Sequence, residues 1–272
     1  MTLLFGTAGI PVATQPRNTA NGIKCVRKLG LDAMEMEFVH SVNISKEAAP
    51  LVRQSAETNK VRLTCHGQYY INLNSDDKVD ASRQRIINAA RISWLCGGWS
   101  VCFHAGYYVG QQSTAYGKIK NHISEAVKTL RDEGNNIWIR PEVSGKPTQF
   151  GSLEEVVMLS EEVEGVMPCI DFSHLHARTN GKFNTKHEFE QILGLVEKNL
   201  GRFGLENMHI HLSGINYGPK GEKNHLILEE SDMNYKDLLR VWKDFKIGGV
   251  VICESPNIEG DALLIKKTYD SL

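Results

Sequence analysis

Short apolar runs rich in β-branched residues recur along the chain, each followed by a turn and then by a stretch with helical apolar spacing. The runs fall near residues 3–7, 33–39, 60–66, 100–105, 136–143, 166–172, 207–212 and 249–254 and read as buried strands. Helical patterns lie between and after them, near 19–29, 45–58, 78–96, 115–133, 153–164, 185–199, 234–245 and 260–270. Ser152-Leu-Glu-Glu155 is a capping box that opens the fifth helix, and Gly30 after Leu29 marks a helix stop before the second strand. Regular strand–helix alternation predicts parallel strands. Eight such units predict a closed (β/α)8 TIM barrel of the α/β class, one domain over residues 1–272. The alternative is a doubly wound open sheet, but no glycine-rich dinucleotide fingerprint follows an early strand.

Composition adds exclusions. With 41% hydrophobic and 23% charged residues the chain has material for a large core. A net charge of -1 gives no global attraction to nucleic acid or membrane, so a polyanionic partner needs a local basic patch. No run approaches the roughly 18 apolar residues of a membrane helix, and the start, Met1-Thr-Leu-Leu-Phe-Gly6, shows no charged leader region. Six cysteines lack close paired spacing, and Cys65, Cys102, Cys169 and Cys253 fall in predicted strands. That pattern predicts reduced, buried thiols in a cytoplasmic protein.

Catalytic groups of such barrels gather at the C-terminal ends of the strands. Here the third to eighth strands finish at His66, His104, Glu142, Asp171, His211 and Glu254, and His174 follows Asp171 where the chain turns away. Each is a ligand type for zinc or manganese, with no thiolate required. Taken singly, a strand histidine is ordinarily a hydrogen-bonded core residue and a strand-end carboxylate a helix cap. Three carboxylates on one rim, however, repel without cations between them. Glu35 and Glu37 alternate with Met34, Met36 and Phe38 on one face of the second strand. They read as acceptors for ligand histidines or as a polar layer paired with Arg62 or Arg140. His209 lies one layer deeper than His211 and reads as structural, and His176 as a ligand or an exposed residue.

The motifs resemble those of the endonuclease IV family of apurinic/apyrimidinic endonucleases. His66-Gly-Gln-Tyr-Tyr-Ile-Asn-Leu73 is similar to its His-x-Ser-Tyr-Leu-Ile-Asn-Leu segment, and Phe103-His-Ala-Gly106 to its second histidine motif. Pro141-Glu-Val143 with Phe150-Gly151, Ile170-Asp-Phe-Ser-His174, His209-Ile-His-Leu-Ser213 and Glu254-Ser-Pro-Asn257 resemble later motifs, in order. The resemblance implies a barrel carrying zinc that cleaves double-stranded DNA 5′ to abasic sites, as a monomer. It implies a first zinc on His66, His104 and Glu142, with Glu142 bridging to a second on Asp171, His211 and Glu254. A third would sit on His174 and an Asp-x-His pair after the seventh strand. The chain departs from the pattern there: Lys220-Gly-Glu-Lys-Asn-His225 places Glu222 at the aspartate, Asn224 at the histidine position and His225 one residue later.

The expected chemistry is in-line attack on a phosphodiester by a metal-bound hydroxide, with Glu142 positioning the nucleophile and two or three ions present, zinc or alternatively manganese. Tyr69 and Tyr70 are placed to wedge or stack against a distorted duplex, or else to pack under their loop. Lys220, Lys223 and Arg178 lie on loops where phosphates pass, although solvated lysines are the default. Two alternatives stand beside this one. A one-metal xylose-isomerase-like sugar isomerase or epimerase needs only Glu142, Asp171, His211 and Glu254. A DNA-binding protein with a decayed cluster needs none of the chemistry.

Overall fold

A computed structural model describes residues 2–108 and 112–272. Eight parallel strands form the barrel: β1 Leu3–Ala8, β2 Ala33–Glu37, β3 Arg62–His66, β4 Ser100–Phe103, β5 Trp138–Pro141, β6 Cys169–Asp171, β7 Met208–Leu212 and β10 Gly249–Cys253. Their order is β5-β4-β3-β2-β1-β10-β7-β6, and parallel bridges Ile139↔Val166 and Glu142↔Cys169 join the two ends. A separate antiparallel hairpin, β8 Gly214–Gly218 with β9 Gly221–Leu226, rises after β7. The sequence pattern reads this hairpin as loop.

The helices among the described residues are α1 Thr19–Lys28, α2 Ala49–Asn59, α3 Val79–Leu95, α4 Gln112–Asp132, α5 Leu153–Glu162, α6 Phe172–Arg178, α7 Lys186–Glu206, α8 Tyr235–Asp244 and α9 Glu259–Ser271. Eight match the predicted stretches, and the capping box at Ser152 and Glu155 is formed. The extra one, α6, is two turns long and begins directly at the end of β6 because the Asp171 side chain caps it, accepting from the His174 backbone N–H at 2.7 Å. No helix among the described residues is long and apolar enough to cross a membrane.

Most of the apolar core lies between strands and helices, as the outward-facing residues of a barrel require. Trp242 of α8 is fully buried there, with its ring 5.6 Å from that of Phe172 on α6. Trp242→Ala is expected to destabilise the protein by about 3–5 kcal/mol, read as a shift of the denaturant midpoint at unchanged slope. Inside the barrel the apolar cluster is small, Ala33, Val250 and Ile252. Above it the buried residues Glu35, Thr64, Ser100, Cys102, Cys169, His209 and His211 make a polar lumen. Arg140 does not pair with Glu35. It donates to the carbonyls of Pro168 and Asn207 and lies over the Trp99 ring, as Arg62 also does.

Candidate metal centre

The C-terminal mouth of the barrel gathers all nine sequence-predicted ligand residues. His66, Asp171 and His211 lie on β3, β6 and β7, while His104, Glu142 and Glu254 follow directly on the ends of β4, β5 and β10. His174 comes from the first turn of α6, and Glu222 and His225 from β9.

Three groups of ligand atoms at the mouth each fall within 4.8 Å: His66, His104 and Glu142; Glu142, Asp171, His211 and Glu254; and His174, His225 and Glu254. Glu142 divides its oxygens between the first two. Its Oε2 lies 3.1 Å from His66 Nε2 and 3.7 Å from His104 Nε2, while its Oε1 lies 3.1 Å from His211 Nδ1. His211 Nδ1 is also 3.3 Å from Glu254 Oε1.

The third group accounts for the one-residue offset seen in the sequence. In a regular strand, residues three apart face opposite sides. Here Ile215 pairs with His225 and Asn216 with Asn224, but Tyr217 pairs with Glu222, so Lys223 is an extra residue in a β-bulge. The bulge turns Glu222 and His225 to one side. Glu222 Oε2 lies 3.6 Å from His174 Nε2, and His225 Nε2 lies 3.4 Å from the same atom. The loop after β5 supports the hairpin: the Glu222 N–H donates to the Gly145 carbonyl at 2.9 Å. A Cβ on Gly145 would stand 2.6 Å from Glu222 Oε2, so only glycine leaves room. Arg178 donates to the carbonyls of Ser144, Lys146 and Gln149. It therefore clamps this loop instead of facing solvent phosphates.

Four imidazoles are oriented by their second nitrogen. Nδ1 of His66, His174 and His225 meets the carbonyls of Gly67, Val143 and Glu254 at 2.8, 3.1 and 3.1 Å. His104 Nδ1 donates to Ser144 Oγ at 3.2 Å, since that hydroxyl itself donates to the Phe150 carbonyl. In each, Nε2 is turned toward the shared space, where the neutral ring presents its lone pair, the arrangement of metal-ligating histidines. His211 Nε2 instead lies 2.9 Å from Glu35 Oε1. His176 contacts Asp232 and the Lys182 carbonyl and is no part of the cluster.

Asp171 tests whether the residues fit a cation. Its Oδ1 caps α6, while its Oδ2 is buried and faces the cluster, 3.1 Å from His174 Nδ1 but without an aligned hydrogen bond. A buried, unsatisfied carboxylate oxygen among other carboxylates calls for positive charge. Without metal, protons supply it. Burial disfavours charge on His66, but its hydrogen bond to Glu142 and that carboxylate's field outweigh this and raise it to about 10. Burial opposes charge on His174 as well, yet Asp171 and Glu142 raise it. Burial holds His104 down at about 4. Metal must therefore displace protons. Zinc loading at pH 7 is expected to release protons, with apparent affinity rising with pH until His66 is neutral near 10. Calorimetric titration in buffers of different ionisation enthalpy measures this release.

The cavity over the cluster has a volume of about 280 Å³. Histidines and carboxylates of the cluster form its floor, and Tyr69, Tyr107, Lys146 and Gln149 line its walls. Tyr69 thus stands at the mouth, 57% exposed. Tyr70, Lys220 and Lys223 are exposed on the surrounding surface and do not line it. Lys146 and Tyr107 were missed by sequence reasoning. Their signal was position alone, just past the ends of β5 and β4. A larger cavity, about 530 Å³, opens at the other end of the barrel, but among the described residues lining it there is a single carboxylate, Glu57, and no imidazole.

A sequence family described as xylose isomerase-like TIM barrel matches residues 23–271. An uncharacterized protein of Methanocaldococcus jannaschii is 42% identical over 273 residues, covering 99% of this chain and 98% of that one. Endonuclease IV from Thermus thermophilus superposes with a TM-score of 0.75 at 17% identity, covering 97% and 99% of the two chains. A D-tagatose 3-epimerase-like protein superposes with a TM-score of 0.71 at 19% identity, covering 97% and 96%. At such identities the two solved structures establish the fold and leave the chemistry to the residues.

Proposed function

The chain belongs to the xylose isomerase-like TIM barrel family, and from that premise we propose that it is a divalent-metal-dependent endonuclease cleaving DNA 5′ to abasic sites. The observation that carries the reading is the division of Glu142, with one oxygen facing His66 and His104 and the other facing His211. A carboxylate so placed joins two cation sites, and a lone-ion enzyme has no use for the first. His66, His104 and Glu142 would hold one ion, Glu142, Asp171, His211 and Glu254 a second, and His174, Glu222 and His225 a third. The nitrogen and oxygen donor set suits zinc, with manganese the alternative. Bound cations would supply Lewis acidity toward a phosphodiester, acidifying water for attack and neutralising charge on the leaving oxygen.

The chain's own side chains do the remaining work. A cavity of about 280 Å³ accepts a sugar–phosphate turned out of the duplex, an extrusion least costly where no base pairs. Tyr69 and Tyr107, both exposed beside it, offer faces to the neighbouring bases. Lys146 lines the cavity and meets the strand's phosphates, while Lys220 and Lys223 on the hairpin extend the positive surface. Glu142 orients the nucleophile.

A second reading, a one-metal sugar epimerase, draws on the self-contained set Glu142, Asp171, His211 and Glu254 and on the fold of the epimerase-like neighbour. It leaves His66, His104, His174, Glu222 and His225 without a task. The convergence of the last three also argues against a binding protein with a decayed third site. The deciding experiment incubates the metal-loaded protein with a duplex carrying one abasic site, with and without chelator, and counts metal per chain. Chelator-sensitive nicking 5′ to the site with two or three ions held at the mouth is expected. A single ion at the mouth, no nicking and interconversion of ketohexoses would replace this reading with the second. His225→Ala is expected to lose one metal equivalent, weakening that site by at least about 100-fold, with the other two retained in equilibrium dialysis.

A further inference from the structure

Beneath the mouth, the lumen holds three groups for which the chemistry above has no role, gathered around His211, which the mouth also uses. Cys102 of β4, Cys169 of β6, and His209 and His211 of β7 are all buried, and one ligand atom from each lies within 4.8 Å of the others. Barrels of this fold ordinarily fill that layer with branched apolar side chains. Two thiols and two imidazoles from three strands are a costly replacement unless something uses them.

Their spacing is informative. A tetrahedral zinc, with bonds of about 2.0 Å to nitrogen and 2.3 Å to sulfur, asks its ligand atoms to stand roughly 3.3–3.8 Å apart. Cys102 Sγ lies 3.7 Å from His211 Nε2. His209 Nδ1 is occupied by Ser100 Oγ at 3.1 Å, which leaves its Nε2 for the cluster. A second observation concerns Glu35. Its Oε2 is 3.0 Å from His209 Nε2 and its Oε1 is 2.9 Å from His211 Nε2. Yet Glu35 Oε1 and His209 Nε2 are both fully buried without a hydrogen-bond partner. These spacings are shorter than a shared tetrahedral cation asks, so Glu35 is the charge partner of the two imidazoles and not a fifth ligand. His209 Nε2 stays buried without an aligned hydrogen bond and turned toward Cys102, Cys169 and His211.

We propose that Cys102, Cys169, His209 and His211 form a separate thiolate-containing site for one tetrahedral zinc-class cation in the barrel lumen. His211 joins it to the mouth: its Nδ1 faces Glu142 and Glu254 above, and its Nε2 faces the Cys102 thiol below. A cation in the lumen would fix that ring from beneath, in the place that backbone carbonyls and a serine hydroxyl take for the other four histidines of the mouth. With cations on both sides the ring would be the imidazolate, its N–H proton released to solvent. The proposal does not depend on the substrate of the mouth.

Cobalt(II) loading of the full chain tests it, because none of the nine mouth residues carries sulfur. A thiolate-to-cobalt charge-transfer absorption in the near ultraviolet therefore reports a cysteine ligand outside the mouth, and substitution of Cys102 and Cys169 assigns it to the lumen. The expected result is such a band with the intensity of one thiolate-ligated cobalt per chain, whatever further cobalt the mouth takes up. It is lost in Cys102→Ser and Cys169→Ser, together with one metal equivalent. Cobalt uptake without the sulfur band would overturn the proposal, as would a Cys102–Cys169 disulfide in the metal-free and metal-loaded protein alike. If those serine variants fail to fold, a band that persists when Cys25, Cys65, Cys96 and Cys253 are replaced by alanine gives the same answer, and a band lost in that protein overturns the proposal. A preserved band in a protein that nicks no DNA would remove the nuclease reading and leave this one standing.

Discussion

Glu142→Gln is expected to fold as the parent does when loaded with metal and to nick an abasic duplex at least about a thousandfold more slowly. The substitution keeps the shape of a fully buried side chain and removes one charge. Both oxygens matter, since Oε2 serves the His66–His104 pair and Oε1 serves His211. Glutamine can present one carbonyl oxygen, and its amide must point two hydrogens at the other group. Charge stabilisation by bound cations is worth several kcal/mol in the transition state, and about 1.4 kcal/mol is a factor of ten. Losing about 4 kcal/mol of it gives the thousandfold. A merely structural role predicts a lower melting temperature with an unchanged turnover number, so both are measured, with the metal content. Nicking within about tenfold of the parent at full metal occupancy would show that Glu142 does not bridge.

The barrel was legible because eight apolar runs alternate with eight amphipathic stretches, and strand–helix alternation leaves few topologies. The mouth was legible for a related reason. Parallel strands finish on one face, so His66, His104, Glu142, Asp171, His211 and Glu254 had to meet wherever the barrel closed. The hairpin was hidden because Gly214–Leu226 is short, polar and rich in glycine, with no alternation to mark a buried face. Whether His225 reaches the third group turns on a bulge at Lys223, and a bulge leaves no trace in composition. The lumen was opaque for another reason. Glu35 read as an acceptor for ligand histidines or as a partner of arginine, and only the register of β2 against β7 across the barrel selects the histidines. Cys102 and Cys169 look like ordinary strand thiols until β4 and β6 are seen to aim both at one point. α6 was missed because Asp171 does two jobs, ligand-type carboxylate and helix cap, and the second is visible only once His174 N–H is seen to donate to it.

Removing metal from the mouth is expected to lower the melting temperature by at least about 10 °C at neutral pH, by an amount that grows as pH rises. Any ion that binds only the folded chain stabilises it by mass action, about 4 kcal/mol for one site at a thousand times its dissociation constant. A domain of this size moves roughly 2–4 °C per kcal/mol, so a single strongly held ion accounts for the lower bound. The pH dependence comes from the metal-free form. Burial, with Glu142 and Asp171 nearby, raises Glu254 from 4.5 to about 7, so the folded metal-free chain binds a proton there that the unfolded chain releases. His66, raised from 6.5 to about 10, behaves the same way at higher pH. A folded state that binds more protons than the unfolded one loses stability as pH rises. Glu254 does so from about 4.5 to 7 and His66 from about 6.5 to 10. Metal replaces those protons as the balancing charge, so the loaded form escapes the loss and the gap between the two melting curves widens from about pH 6 to pH 9. Calorimetric scans with and without chelator across that range measure the gap. Coincident melting temperatures at every pH would mean that the carboxylates and imidazoles of the mouth hold no cation at all.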